Sequence, residues 1–378
     1  MSDSDTAVRL RLALAEQIDS PDWRHALEAV PRELFLGDAV YRYESGRGWV
    51  PVRRSEMSAE DWLTLAYTDE TWVTQLNGVL AEDATEPVLI SRPTSSSTFP
   101  GLVVLMLEAA GISEGDTVLE IGTGTGYSTS LMCHRLGDKA VTSIEYDPVV
   151  AARAKAAIAG AGYAPTLVHG DGLLGYGGNA PYDRLIATCA VRTIPLAWLE
   201  QVRSGGTITA PMKGWIDGAA FAHLRVAEDG SASGRFLGDD VYFMTARSHL
   251  PPPQPPLVMG RGEVSEGRVD PSMVRDNATA QWVAQLAVPQ MQLAWAEDIA
   301  TLFDSGTGSQ ADVSTNPNGG WTVYQHGPLR LWDAVEDAIL MWQATGSPHQ
   351  SAFGLTVTRD RQYVWLGEPD GQSWDLPA

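Results

Sequence analysis

Three glycines spaced two apart, Gly122, Gly124 and Gly126, follow the apolar run Val118-Leu-Glu-Ile121 and precede Tyr127, where a helical pattern begins. Glycine there lets the backbone adopt positive φ and lets a ligand lie against the main chain. Free N–H groups at the helix start favour a polar or anionic ligand group. Glu145, 23 residues after Gly122, closes a second apolar run from Ala140, with Tyr146 beside it. A carboxylate at such a strand end accepts both hydroxyls of a ribose. The spacing is G-x-G-x-G, not the G-x-G-x-x-G that wraps a pyrophosphate. Glu120, two residues before the first glycine, repels a diphosphate and suits a cation. The expected ligand is therefore S-adenosyl-L-methionine (SAM), with its ammonium and sulfonium groups, leaving as S-adenosyl-L-homocysteine. The expected contacts are Glu120, Gly122, Thr123, Gly124, Gly126, Tyr127, Glu145 and Tyr146; a ligand-free glycine turn is the alternative.

Two further stretches carry candidate chemistry. Asp171, between Gly170 and Gly172, follows the apolar run Thr166–His169. It can accept from an adenine amino group while both glycines let the base approach, or it can simply cap the next element. In Ser91-Arg-Pro-Thr-Ser-Ser-Ser-Thr98, six of eight residues carry hydroxyls, a composition that makes poor helix. Ser91, Ser95, Ser96, Ser97 and Thr98 are read as a donor-lined lip for an acceptor carboxylate, against a flexible linker. His134 and His169 show no local partner and read as structural. Neither a Ser-His-Asp arrangement nor a metal-ligand spacing is apparent, and no metal is expected.

These residues need a scaffold that brings strand ends together. Strand candidates are Thr117–Glu120, Val141–Glu145, Thr166–His169, Arg184–Thr188 and Thr207–Ala210, alternating with helices at Val149–Ala161 and Ile194–Val202. That alternation specifies a parallel doubly wound sheet with its ligand at the carboxyl ends of the strands. Residues 1–85 read as mostly helical, from the amphipathic run Val8 to Ile18 and from Trp23 to Val30. Residues 86–250 form the expected SAM-binding core, and the prolines of 251–257 a stiff linker. Residues 258–378 form an accessory segment for a substrate peptide, with seven tryptophans, 15 acidic and 6 basic residues. Within it, Leu331, Trp332, Val335, Ile339 and Trp342 follow helical spacing, and Phe353 to Leu366 reads as a hairpin turning near Asp360. The fold class is thus α/β, a Rossmann-like methyltransferase sheet with a helical N-terminal segment and an α+β C-terminal extension.

A net charge of −21 over 378 residues argues against nucleic acid or an anionic membrane as partner. Two cysteines exclude a disulfide framework. The first residues lack the basic and apolar regions of an export signal, so a cytoplasmic protein is expected.

Val30-Pro-Arg-Glu-Leu-Phe35, Ile90-Ser-Arg-Pro93 and Val118 to Tyr127 resemble protein-L-isoaspartate O-methyltransferases in order and spacing, as do Gly170-Asp-Gly172, Ala180-Pro-Tyr-Asp183 and Arg203-Ser-Gly-Gly206. The resemblance covers roughly residues 20–215. It implies a SAM-dependent methylase of peptide carboxylates, with a substrate-facing hydroxyl at Ser91 and cofactor contacts at Gly122, Gly124, Glu145 and Asp171. Two departures stand out. Repair enzymes carry a methionine soon after the Ser-Arg-Pro, where this chain has Thr94 to Pro100, and they end soon after the sheet. Both departures resemble the branch that methylates an aspartate of a ribosomal precursor peptide, whose ester closes to an aspartimide. The tail around His326–Trp332 and Phe353–Val357 resembles members accompanying ATP-grasp ligases in graspetide pathways, although those often carry Gln at the position of Phe99. The implied partner is a precursor peptide already modified by such a ligase. Isoaspartate repair with an accessory domain, and a non-catalytic SAM-binding scaffold, are the competing readings.

Overall fold

The computed structural model describes residues 3–89, 91–316 and 319–377. The chain opens with α1 (Asp3–Ile18) and α2 (Arg24–Ala29), then a 3-10 turn over Arg32–Phe35. Next come β1 (Ala39–Glu44), β2 (Gly48–Arg53), α3 (Ala59–Ala66), β3 (Trp72–Leu76), β4 (Val79–Leu80) and β5 (Pro93–Ser97). Residues 1–85 are therefore not mostly helical. The segment also carries an antiparallel sheet in the order β2-β1-β3-β4, with β5 paired to β3. Helical spacing missed it because these strands do not alternate. Ala39, Val40 and Tyr41 are all buried in succession, so the period-two pattern that marks a half-buried strand is absent.

The expected parallel sheet follows α4 (Pro100–Ala109). It is built from β6 (Val118–Ile121), α5 (Tyr127–Leu136), β7 (Val141–Glu145), α6 (Pro148–Gly160), β8 (Thr166–His169), β9 (Tyr182–Ala187), α7 (Leu196–Gln201) and β10 (Val202–Lys213). The strand order is β10-β9-β6-β7-β8, with every pairing parallel. The order reverses at β6, so β6 and β9 flank the switch point where such sheets bind ligands. All four residues of β6 are buried, which is why it reads as a continuous apolar run. Asp147 starts α6 by accepting from the N–H groups of Val149 and Val150, with Pro148 in the first turn.

The chain divides into two compact units, Met1–Cys189 with Ala197–Thr209, and Ala190–Leu196 with Ala210–Ala378. The second holds β11 (Ala219–Val226), β12 (Ala232–Leu237), β13 (Glu263–Gly267), α8 (Ser272–Asp276), α9 (Ala278–Ala287), β14 (Gln292–Ala296), β15 (Ile299–Asp304), β16 (Ser309–Thr315) and β17 (Trp321–His326). It ends with α10 (Leu331–Ala344), β18 (Phe353–Val357), β19 (Gln362–Leu366) and β20 (Ser373–Asp375). An antiparallel sheet in the order β13-β17-β16-β15-β14 meets α10, whose Trp332, Val335, Ile339 and Trp342 are buried at the expected spacing. Glu336 ties α10 to the chain after β13, accepting from Trp332 Nε1 at 2.9 Å, Arg268 Nε at 2.9 Å and Val269 N at 3.1 Å. The hairpin β18–β19 forms as expected, and β18 pairs with β12. The proline-rich residues 251–257 lie inside this unit, without helix or strand. Among the described residues no helix is long and apolar enough to cross a membrane.

Candidate active site

The glycine-rich turn adopts the backbone that its composition requires: φ is +98° at Gly122, +56° at Gly124 and +93° at Gly126. A Cβ on Gly122 would stand 2.7 Å from Thr188 Oγ1, so the position is also sterically closed. Gly122 N and Thr123 N both donate to Ile144 O, at 2.8 and 3.0 Å, joining the turn to β7. Gly124 N donates to Glu145 Oε2 at 2.8 Å and Asp147 N to Glu145 Oε1 at 3.0 Å. Gly170 N donates to Glu145 O at 2.9 Å. The ends of β6, β7 and β8 are thereby stitched into one rim, with Gly122, Gly124, Glu145, Gly170, Asp171 and Gly172 along it. Burial pushes the Glu145 carboxyl above the ordinary glutamate range, against the lowering effect of its backbone donors. Burial, with the charges of Glu145 and Asp171 in range, raises the Cys189 thiol to about 12. That thiol is no nucleophile at neutral pH.

Not every expected contact faces this rim. Glu120 is fully buried, and its oxygens accept from Ser128 Oγ, Thr129 Oγ1 at 2.5 Å and Ser143 Oγ at 2.6 Å. Thr123 Oγ1 adds to this network through Ser143 Oγ at 2.6 Å. The carboxylate thus fastens β6, β7 and α5 under the turn. Burial raises its pKa above the ordinary range despite those three donors. Tyr127 is likewise turned inward, edge-on to Phe35 at 5.7 Å between ring centroids. Tyr146 is exposed beside Glu145. Asp171 Oδ1 accepts from Leu173 N at 2.9 Å, capping the turn that follows β8.

The hydroxyl-rich stretch is not a flexible linker. Residues Pro93–Ser97 are strand β5, paired antiparallel to β3 with Trp72 opposite Ser97 and Val73 opposite Ser96. Of the motif Ile90-Ser-Arg-Pro93, Ile90 lies outside the described residues. Ser95 and Ser97 are buried, while Ser96 and Thr98 are half-buried. β5 lies against the glycine-rich turn, since a Cβ on Gly124 would stand 3.7 Å from Ser96 O. Ser95 Oγ accepts from Thr74 Oγ1 at 3.1 Å. The hydroxyl oxygens of Ser91 and Ser97 are buried with no hydrogen-bond partner. Buried hydroxyls ordinarily have one, and each exception calls for an explanation.

The residue that orders this strand had been given no role. Arg32 is fully buried, and its guanidinium donates to the carbonyls of Thr68 at 2.6 Å, Glu70 at 2.7 Å, Ala66 at 2.9 Å, Thr98 at 3.3 Å and Ser97 at 3.5 Å. Burial lowers its pKa to about 10, so it stays charged at neutral pH. The signal was present in Pro31-Arg-Glu-Leu-Phe35, where a lone arginine follows a helix-ending proline. Thr188, which no sequence pattern singles out, donates from Oγ1 to Gly122 O and holds the turn to the end of β9. His134 Nδ1 meets Tyr163 Oη at 3.0 Å, a structural contact, and His169 is exposed. Among the described residues no group of three His, Cys, Asp or Glu side chains is placed to hold a metal ion.

The rim suits SAM on its own chemistry. Two carboxylates at adjacent strand ends match a ribose diol and an exocyclic amine, and the set contains no basic side chain for a diphosphate. Residues 50–247 match the protein-L-isoaspartate(D-aspartate) O-methyltransferase (PCMT) family. The chain belongs to this family. It is 37% identical over 184 residues to a protein-L-isoaspartate O-methyltransferase of Ignicoccus hospitalis, covering 48% of this chain and 79% of that one. It is 34% identical over 161 residues to a protein-L-isoaspartate O-methyltransferase 2 of Anaeromyxobacter sp., covering 42% of this chain and 58% of that one. Other curated relatives are matched over about half their length. A solved protein-L-isoaspartate O-methyltransferase superposes with a TM-score of 0.54 at 19% identity, over 95% of this chain and 99% of that one. The doubly wound methyltransferase fold, and the class of SAM-dependent carboxyl O-methyltransferases that the resemblance implied, both stand. That fold similarity extends over nearly the whole chain, whereas the curated relatives match less than half of it.

Proposed function

We propose that this PCMT-family chain methylates an aspartate side-chain carboxylate in a ribosomally made precursor peptide, previously modified by an ATP-grasp ligase, and that the ester then closes to an aspartimide. The observation carrying this reading is β5 against the glycine-rich turn, with the hydroxyls of Ser91 and Ser97 buried and unpartnered. Donors lacking an acceptor, next to the cofactor turn, are what an incoming carboxylate needs. SAM, when bound, supplies a methyl group on a sulfonium that departs as a neutral thioether. An aspartate with an ordinary pKa near ~3.9 is already ionised at neutral pH and needs no general base, in keeping with a rim that offers no acid–base pair. Gly122, Gly124, Glu145 and Asp171 hold the donor, the β5 hydroxyls orient the acceptor oxygen, and the enzyme contributes positioning and exclusion of water. The peptide's next backbone N–H then attacks the ester carbonyl and methanol leaves, closing the imide. Two unbridged cysteines, Cys133 and Cys189, fit a cytosolic setting.

Isoaspartate repair is the second reading, supported by the names of the relatives and by the fold similarity over the whole chain. Substrate separates the two. A precursor peptide with an unmodified aspartate gains one methyl group by mass spectrometry, whereas generic isoaspartyl peptides are left untouched; the reverse pattern establishes repair. SAM binding without methylation of either peptide would leave the scaffold reading.

The unpartnered hydroxyl supplies a test with two opposed signs. Ser97→Ala removes a buried donor that lacks an acceptor, so it raises unfolding free energy by about 1 kcal/mol. The same change slows methylation while SAM affinity is retained. Methylation at the wild-type rate by Ser97→Ala would exclude that hydroxyl from the acceptor site.

A further inference from the structure

A cavity of about 350 Å³ in the first unit is bordered by Gly124 and Thr125, yet Glu145, Asp171 and Thr188 do not line it. It is therefore not the ribose and adenine rim. Its walls include Phe35, Leu36, Leu80, Val150, Ala154 and Ala157. Ala154 and Ala157 stand one helical turn apart on α6, on a shared face, and their small side chains leave the space open. Much of the polar lining is already paired. Thr74 Oγ1 donates to Ser95 Oγ, and the Arg153 guanidinium is paired with Glu82 at 2.8 Å. With no unmatched charge at its wall, the cavity favours an uncharged apolar group over an ion. Its volume lies at the small end of ligand pockets, which run from ~300 to 1,000 Å³.

The position of the cavity decides which apolar group reaches it. Ser95 belongs to β5, the strand that presents the acceptor hydroxyls, and Gly124 belongs to the cofactor turn. An occupant touching both is covalently near the reacting carboxylate. We propose that this cavity takes the aliphatic or aromatic side chain of a residue adjacent to the acceptor aspartate, and so sets which aspartate is methylated. The proposal deepens the peptide-carboxylate reading and rests on it.

Two short aspartyl peptides, differing only in leucine or glycine next to the aspartate, test it. Binding is measured by calorimetry with S-adenosyl-L-homocysteine present, so that no methyl transfer occurs. The leucine peptide binds wild-type enzyme roughly 10- to 100-fold more tightly than the glycine peptide, the ratio that burial of one leucine side chain supplies. Ala157→Phe, which fills the cavity, reduces that ratio to near one and leaves the glycine peptide's affinity unchanged. Ala154→Leu does the same from one turn earlier on α6 and serves where Ala157→Phe fails to fold. Equal affinity of wild-type enzyme for both peptides, absence of binding by either, or an undiminished ratio in a folded variant overturns the proposal. Leucine-selective binding with no methylation of either peptide supports the cavity and instead removes the carboxylate reading.

Discussion

Arg32→Leu lowers the unfolding free energy by about 3–5 kcal/mol and abolishes most methyl transfer. The guanidinium, fully buried, reaches five carbonyls on two segments, residues 66–70 and residues 97–98. Each buried carbonyl left without a donor costs about 1–3 kcal/mol, partly recovered by relaxation and water entry. Arg32→Lys rescues little, because an ammonium is a point charge and cannot fork toward two segments. Urea unfolding gives the stability change, and amide exchange across β5 shows where it acts. Because the chain holds two compact units, exchange in β13–β17 serves as the internal control. Unaltered exchange in β5 would contradict the assignment of Arg32 as the residue that positions it.

Glu145→Ala weakens SAM binding by about 1.5–3 kcal/mol, the range for a hydrogen bond to a charged group, or roughly 10- to 150-fold in affinity. Asp171→Ala falls in the same range. Glu145 is expected at the upper end because its Oε2 also accepts from Gly124 N, so the variant loosens the turn itself. The pH dependence has a definite sign. Burial raises the Glu145 pKa, and ribose hydroxyls donate to the ionised form. Affinity is therefore full above that raised value and falls as pH drops through it, beginning above the ordinary glutamate range. Stability of the ligand-free protein runs the other way. The folded state holds its proton to higher pH than the unfolded chain, so this contribution is greatest below the ordinary glutamate pKa and is lost as pH rises through the raised one. Calorimetric titration of wild type and Glu145→Gln across the mildly acidic range checks both, and a pH-independent wild-type affinity would remove Glu145 from the ribose site.

What was legible beforehand was local. Gly122, Gly124 and Gly126 announced positive φ because few other residues adopt it cheaply, and the structure has all three there. The start of α5 at Tyr127 was legible from the glycine turn, and α6, expected from Val149, begins one residue earlier at Pro148. The short apolar runs at β6 and β7 declared buried strands, and their alternation with helices declared a parallel sheet. The glycine, Glu145 and Asp171 positions of the rim followed from that topology.

What needed the tertiary structure were partners distant in the chain. Glu120 has the composition of a ligand contact, but three hydroxyls from β7 and α5 surround it, and nothing in its own segment specifies them. The serines of 95–97 read as a donor-lined lip or a linker because such a run makes poor helix, yet Arg32 and β3 make them a strand. The hairpin β18–β19 was visible in its own alternation, whereas its pairing with β12 was not, since strand partners are selected by complementary faces far apart in sequence. Backbone conformation and turn chemistry are set by each residue and its neighbours. Which polar groups lie buried together is set by the collapse of the whole core, and that is where β5 acquired its position.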